Sequence, residues 1–123
     1  MQLTNAEEQV MKYLWKLEKG YLKNIIDEFP EPRPATTTVA TLLKRMIDKG
    51  FVGFHQHGSN REYYPLVKKS DYSAKNINLI IRDFFNDSAS QFASFFTDEA
   101  NLSLTELEEI KTIVEKKIAI KKK

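Results

Sequence analysis

Between Arg33 and Tyr64 the apolar positions change period once. Val39, Leu42, Leu43, Met46 and Ile47 fall at i, i+3, i+4, i+7 and i+8, which predicts one helix with a single apolar stripe. Its other face carries Thr37, Thr38, Thr41, Lys44, Arg45 and Asp48. Gly50 follows the last turn and is expected to end the helix. Two extended runs come next, 51–57 and 61–66, with Gly58-Ser59-Asn60 between them as a hairpin turn. Along the first run Val52, Phe54 and Gln56 alternate with Phe51, Gly53, His55 and His57. Tyr63 and Tyr64 are expected to split between core and surface. A helix with a short-polar and basic outer face, leading into a hairpin, is the helix-plus-wing layout of a winged helix-turn-helix. That layout suits a DNA major groove.

The same reading extends to both sides. Thr4 and Glu7 form a T-x-x-E capping box, so a helix should start at Asn5, with Leu3 packed on its first turn. Val10, Met11, Leu14, Trp15 and Leu17 make its inward face, and Gly20 is expected to end it. Trp15 lies on the apolar stripe and reads as core. Tyr21-Leu22 can supply a short strand, and residues 23–29 a second helix with Ile25, Ile26 and Phe29 inward. Pro30, Pro32 and Pro34 make a connector that cannot continue a helix. Beyond Lys68-Lys69-Ser70-Asp71 the pattern is helical again. Residues 73–86 carry Ile77, Ile80, Ile81, Phe84 and Phe85 on one side, and 88–96 is rich in Ala and Phe. Ser103 and Glu106 form a second capping box, opening a helix to about Lys117 with Leu107, Ile110, Ile113, Val114 and Ile118 as its stripe. The last three lysines are expected to be frayed and solvated.

The expected fold is therefore mainly α with a small β-hairpin wing. A winged helix-turn-helix domain for DNA binding occupies residues 1–70, and a helical dimerisation region occupies 71–123. The second region is too small and too apolar to stand alone. A second copy of the chain would cover Ile77, Ile80, Ile81, Phe84, Phe85, Phe92, Phe95, Phe96, Leu107, Ile110, Ile113 and Val114. The alternative is that this region folds back on its own first domain.

Charge sharpens the functional expectation. Residues 1–32 hold four Lys against six acidic residues, a net −2; residues 70–123 hold eight basic against nine acidic, a net −1. Residues 33–69 hold seven Lys or Arg against Asp48 and Glu62, a net +5. A local basic footprint is what phosphate binding requires, although a solvated charged face would look the same. The candidate DNA contacts are Thr36, Thr37, Thr38, Thr41, Lys44, Arg45, Lys49 and Arg61. Short hydroxyl side chains near a helix N-terminus approach phosphates and base edges closely, while N-capping and helix packing are the alternative use of the threonines. Arg61, just after the turn, is the candidate wing phosphate contact; its alternative is a surface arginine supporting the hairpin.

Other chemistry finds little support. The 123 residues contain no cysteine, which removes disulfides, thiolate metal sites and thiol catalysis. His55 and His57 share a strand face, yet no third ligand is near, so a partly exposed wing strand is the expected reading and no metal or cofactor is assigned. There is no Gly-rich phosphate loop and no nucleophile–base pair, so an enzyme is not expected. No apolar run approaches the ~18 residues of a membrane span and no signal-like N-terminus is visible, so the cytoplasm is the expected location and no membrane partner is assigned.

Three stretches carry a family resemblance. L-T-N-A-E-E-Q-V-M-K-Y-L-W near the start, T-V-A-T-L-L-K-R-M-I-D-K-G in the middle and R-E-Y-Y-P after the wing resemble the penicillinase-repressor family (BlaI/MecI, with the CopY branch). The resemblance spans about residues 3–118. It implies a winged-helix transcriptional repressor that dimerises through its C-terminal helices and binds a palindromic double-stranded operator. Thr38, Thr41 and Arg45 match the family's recognition-helix pattern, and Arg61 its wing. Two departures matter. The CopY branch carries a C-terminal cysteine metal motif, which is missing here and argues against copper sensing. Beta-lactam-responsive members are inactivated by proteolysis at an Asn-Phe bond before the last helix. The matching bond here is Phe95-Phe96, which argues against the same switch and leaves a different regulatory protease, or another signal, as the releasing event. The alternative function is a winged-helix protein-interaction module without specific DNA binding.

Overall fold

The structure is a computed structural model that describes residues 2–123. The chain divides after Ala74 into two compact units.

The first unit opens with α1, Asn5–Leu17. Its capping box forms as the sequence predicts: Thr4 Oγ1 accepts from the Glu7 amide at 3.2 Å, and Glu7 Oε1 accepts from the Thr4 amide at 2.8 Å. The helix stops at Leu17, three residues short of the expected Gly20. Glu18 takes a positive φ of 70° and its amide closes on Leu14 O, so a glutamate makes the terminating turn. That frees Gly20 for β1, Gly20–Tyr21, one residue earlier than the expected strand. Helix α2, Leu22–Glu28, follows directly, and Asn24 Oδ1 accepts from the Tyr21 amide at 2.9 Å across its first turn.

After the proline connector comes α3, Thr36–Asp48. A complete Schellman motif ends it: the Gly50 amide bonds Ile47 O at 3.0 Å and the Phe51 amide bonds Met46 O at 2.9 Å. Gly50 sits at φ 84°, which a β-carbon would strain. The hairpin is β2, Val52–His57, and β3, Asn60–Pro65. Asn60 pairs with His57, so the loop is the two residues Gly58-Ser59 and not the expected three. Gly58 at φ 62° supplies the first central position of a tight hairpin turn. β1 pairs antiparallel with β3, Gly20 opposite Tyr63 and Tyr21 opposite Glu62, and the sheet order is β1-β3-β2.

The core draws Val10, Met11 and Leu14 from α1, Ile25 from α2, Val39, Leu43 and Met46 from α3, and Val52 and Tyr63 from the sheet. Tyr63 and Tyr64 do split, Tyr63 buried and Tyr64 half-buried. Trp15 and Leu42 lie at the core's edge, half-buried. The Trp15 indole N–H donates to Val67 O at 2.9 Å, an edge position that satisfies its polar atom. Helix α4 runs Lys69–Phe84, starting four residues before the expected Ser73. Tyr72, in its first turn, donates to Glu8 Oε2 at 2.7 Å and rests its ring beside Trp15 and Phe51.

The second unit, Lys75–Lys123, holds the rest of α4, then α5, Ala89–Glu99, and α6, Leu104–Lys121. Ser88 caps α5 through the Gln91 amide, and Ser103 with Glu106 forms the expected capping box on α6. Helix α6 continues to Lys121, past the expected end at Lys117, so Lys121 is helical and not frayed. Phe85 meets Phe92 and Phe95 at ring-centroid distances of 5.5 and 5.2 Å, and Phe92 stacks on Phe96 at 6.2 Å. Among the described residues of this unit none is fully buried. Ile77, Ile80, Phe84, Phe95, Phe96, Leu107, Ile113 and Val114 are exposed, Phe84 by 77%. Ile81, Phe85, Phe92 and Ile110 are half-buried. The architecture is the expected one: helices, then a hairpin wing, then C-terminal helices.

Candidate nucleic-acid interface

The outer face of α3 is polar along its whole length. Thr36, Thr37, Thr38, Thr41, Lys44 and Arg45 are all exposed, while Val39, Leu43 and Met46 anchor the opposite side. The core therefore fixes where the polar face points. The threonines do not cap the helix, as the alternative reading of them required: the N-cap is Ala35, which has no capping side chain. Thr38 and Val39 amides share Ala35 O, at 3.1 and 3.2 Å. The hydroxyls are thus free of capping, with one internal commitment. Thr41 Oγ1 donates to Thr37 O at 2.8 Å, so its one proton is used and its oxygen is left as an acceptor. Among the described residues Lys44 and Arg45 pair with no carboxylate.

Arg61 follows the wing turn. Its guanidinium lies 4.2 Å from the centroid of the Phe54 ring. A ring beneath the cation holds its side chain without neutralising its charge. Both expected uses of Arg61 are therefore compatible: it supports the hairpin and still presents a cation.

Lys49 does not belong with the others. Its ammonium lies 2.6 Å from Glu7 Oε1 and 3.1 Å from Gln2 O, and its side chain is only 23% exposed. Glu7 is fully buried. Burial pushes the Glu7 carboxyl up, but the Lys49 ammonium and the hydrogen bonds from Thr4 outweigh it and hold the group below its ordinary value of 4.5. The Lys49 ammonium, expected as a phosphate contact, is engaged by that carboxylate.

Lys23 is a residue that spacing missed. A cleft of about 670 Å³ opens between α2, the start of α3 and the hairpin tip, lined by Lys23, Thr36, Asn60 and Arg61 with Leu22, Ile26 and Tyr63 beneath. The pairing of Tyr21 with Glu62 brings the start of α2 beside the wing, a long-range event with no local signature. The histidines are used within the hairpin. His55 stacks on Tyr64 at 4.8 Å, and His57 Nε2 lies 3.3 Å from Glu62 Oε1. Among the described residues no three His, Asp or Glu side chains come together as a metal site.

The sequence profile of the penicillinase repressor family matches residues 3–116. The chain belongs to this family. Its relatives include the methicillin resistance regulatory protein MecI of Mammaliicoccus sciuri, 29% identical over 117 residues, 94% of this chain and 95% of that protein. The penicillinase repressor of Bacillus licheniformis is 29% identical over 115 residues, 93% of this chain and 90% of that one. Among solved structures, the DNA-binding domain of the repressor BlaI superposes with a TM-score of 0.51 at 33% identity. That match covers 58% of this chain and 88% of the domain. The family is one of transcriptional repressors and not of enzymes. No helix among the described residues is long and apolar enough to cross a membrane.

Proposed function

We propose that this penicillinase-repressor family member represses transcription as a homodimer, holding a palindromic operator with α3 and the wing of each protomer. The observation that carries the reading is the outer face of α3. It presents exposed hydroxyls and two cations without a carboxylate partner among the described residues, Lys44 and Arg45, on a helix fixed by its own core, in the same unit as a wing bearing Arg61. Charge of this kind positions a protein on phosphates, and short side chains reach base edges. A winged helix used for protein docking would favour an apolar outer face, which α3 lacks.

The dimer is supported by the second unit, which leaves Ile77, Ile80, Phe84, Phe95, Phe96, Leu107, Ile113 and Val114 exposed. Release by a regulatory peptidase at Phe95-Phe96 would need local unwinding first, because that bond lies inside α5. Selection of bound sequences from a random duplex pool with the full chain tests the function. An enriched inverted repeat is expected. Recovery of no preferred sequence, or of a single half-site only, would overturn the reading.

A further inference from the structure

The ion pair between Glu7 and Lys49 joins the first turn of α1 to the C-cap of α3. Each partner is fixed by more than the other. Glu7 is held by the reciprocal capping box with Thr4, and its Oε1 accepts from both the Thr4 amide and the Lys49 ammonium. Lys49 is held by its own backbone, its amide bonding Arg45 O at 2.9 Å, and by Gln2 O on its ammonium. The two ends of α3 are therefore unequal. The N-terminal end has no capping side chain, whereas the C-terminal end carries a Schellman turn and a buried charge contact. Glu7 Oε2 is buried without a hydrogen-bond partner among the described residues, so the carboxylate's charge is compensated at Oε1, by the Lys49 ammonium and the Thr4 amide.

We infer that Lys49 is a positioning residue for DNA recognition: clamped on buried Glu7, it fixes the orientation of α3 and hence the aim of Arg45 and Thr41, without touching DNA. Lys49 and Arg45 are one helical turn apart and share a backbone hydrogen bond, so a change in the anchor is transmitted to the reading face directly. Base contacts demand close geometry, whereas phosphate contacts tolerate small rotations of a long side chain. Loosening the anchor should therefore erode discrimination and spare the electrostatic part of binding. This inference rests on the operator-binding reading above.

The test compares the wild type with Lys49→Met, Glu7→Gln and the double variant. Gln at position 7 still serves a capping box, so α1 keeps its start. Affinities for the selected inverted repeat and for a scrambled duplex are measured over a range of salt, alongside melting temperatures. Lys49→Met is expected to lower the ratio of specific to non-specific affinity at least about fivefold, roughly the worth of one base contact, with an unchanged salt slope. The double variant leaves no unpaired buried charge, so its melting temperature should recover toward wild type while its discrimination stays low. Recovery of discrimination together with stability would make the pair purely structural and overturn the inference. A shallower salt slope in Lys49→Met would make Lys49 a phosphate contact and overturn it too. A wild type with no sequence preference would instead bring down the operator-binding reading itself, and the inference with it.

Discussion

The salt dependence of DNA binding follows from which cations are free. Among the described residues, three on α3 and the wing have no carboxylate partner or are held only by a ring: Lys44, Arg45 and Arg61. Lys49 is excluded because its ammonium is 2.6 Å from a buried carboxylate. If each free cation neutralises one phosphate, a dimer makes about six contacts, and log K should fall with log salt at a slope of roughly −5. Between 50 and 200 mM salt that slope corresponds to about a 10³-fold loss of affinity. Arg45→Ala removes one contact per protomer, so the slope should relax by about 2 and the loss over the same range shrink to about 10²-fold. Fluorescence anisotropy on a scrambled duplex, at a series of salt concentrations and fixed pH, measures this without the complication of base contacts. A wild-type slope no steeper than about −2 would mean that most of these cations do not meet phosphates. An Arg45→Ala slope equal to wild type, with weaker binding throughout, would show that Arg45 acts by another route and would refute the count.

Three further outcomes are expected. A chain truncated after Ala74 should sediment as a monomer and bind DNA weakly; keeping residues through Ala74 matters because Tyr72 contacts Glu8, Trp15 and Phe51, and a dimeric fragment would sink the assignment of the second unit. Thr38→Val should lose about 1–3 kcal/mol on the cognate repeat and little on scrambled DNA, whereas Thr41→Val should lose less, because the Thr41 proton already serves Thr37 O; equal losses in a binding titration would contradict this. Glu7 has a depressed folded-state pKa, so its contribution to stability is present above the ordinary value of 4.5 and is lost as pH falls through the folded value. Urea unfolding should therefore show the wild type, but not Glu7→Gln, losing stability as pH falls below 4.5; parallel curves for the two proteins below pH 4.5 would reject it.

What was legible in the chain was what periodicity and local chemistry encode. The stripe of Val39, Leu43 and Met46, the stop at Gly50 and the two capping boxes each act within one or two turns, and each forms where expected. Errors of extent arose where a local signal was ambiguous. Helix α4 begins at Lys69 without a recognisable cap, and α6 runs on through good helix formers to Lys121. Glu18, and not the expected Gly20, ends α1 with a positive φ, and Gly20 pairs opposite Tyr63 in the sheet. The candidate site divides along the same line. Exposure of Thr38, Lys44 and Arg45 follows from the helical period alone. The commitment of Lys49 to Glu7, 42 residues away, and the arrival of Lys23 beside Arg61 depend on tertiary pairing that no local pattern records.

The distribution of apolar residues bears on how repression could be reversed. The first unit buries its own core, from Leu3 to Tyr63, and needs no partner to close it. The second buries nothing completely and leaves Ile113 58% exposed in the middle of its last helix. On the dimer reading, the energy of association sits in one unit and the energy of DNA contact in the other. Joining two half-site readers in a dimer makes the second contact intramolecular, so operator affinity exceeds that of one reader by orders of magnitude only while the dimer persists. An event confined to residues 75–123 could then release DNA without altering any side chain that touches it. Conversely, substitutions in α3 should change affinity per half-site and leave the monomer–dimer equilibrium in the absence of DNA where it was. Thermodynamic linkage requires that the duplex in turn stabilise the dimer by the same coupling energy, so the dimerisation constant measured with and without operator fixes how much of repression the second unit controls.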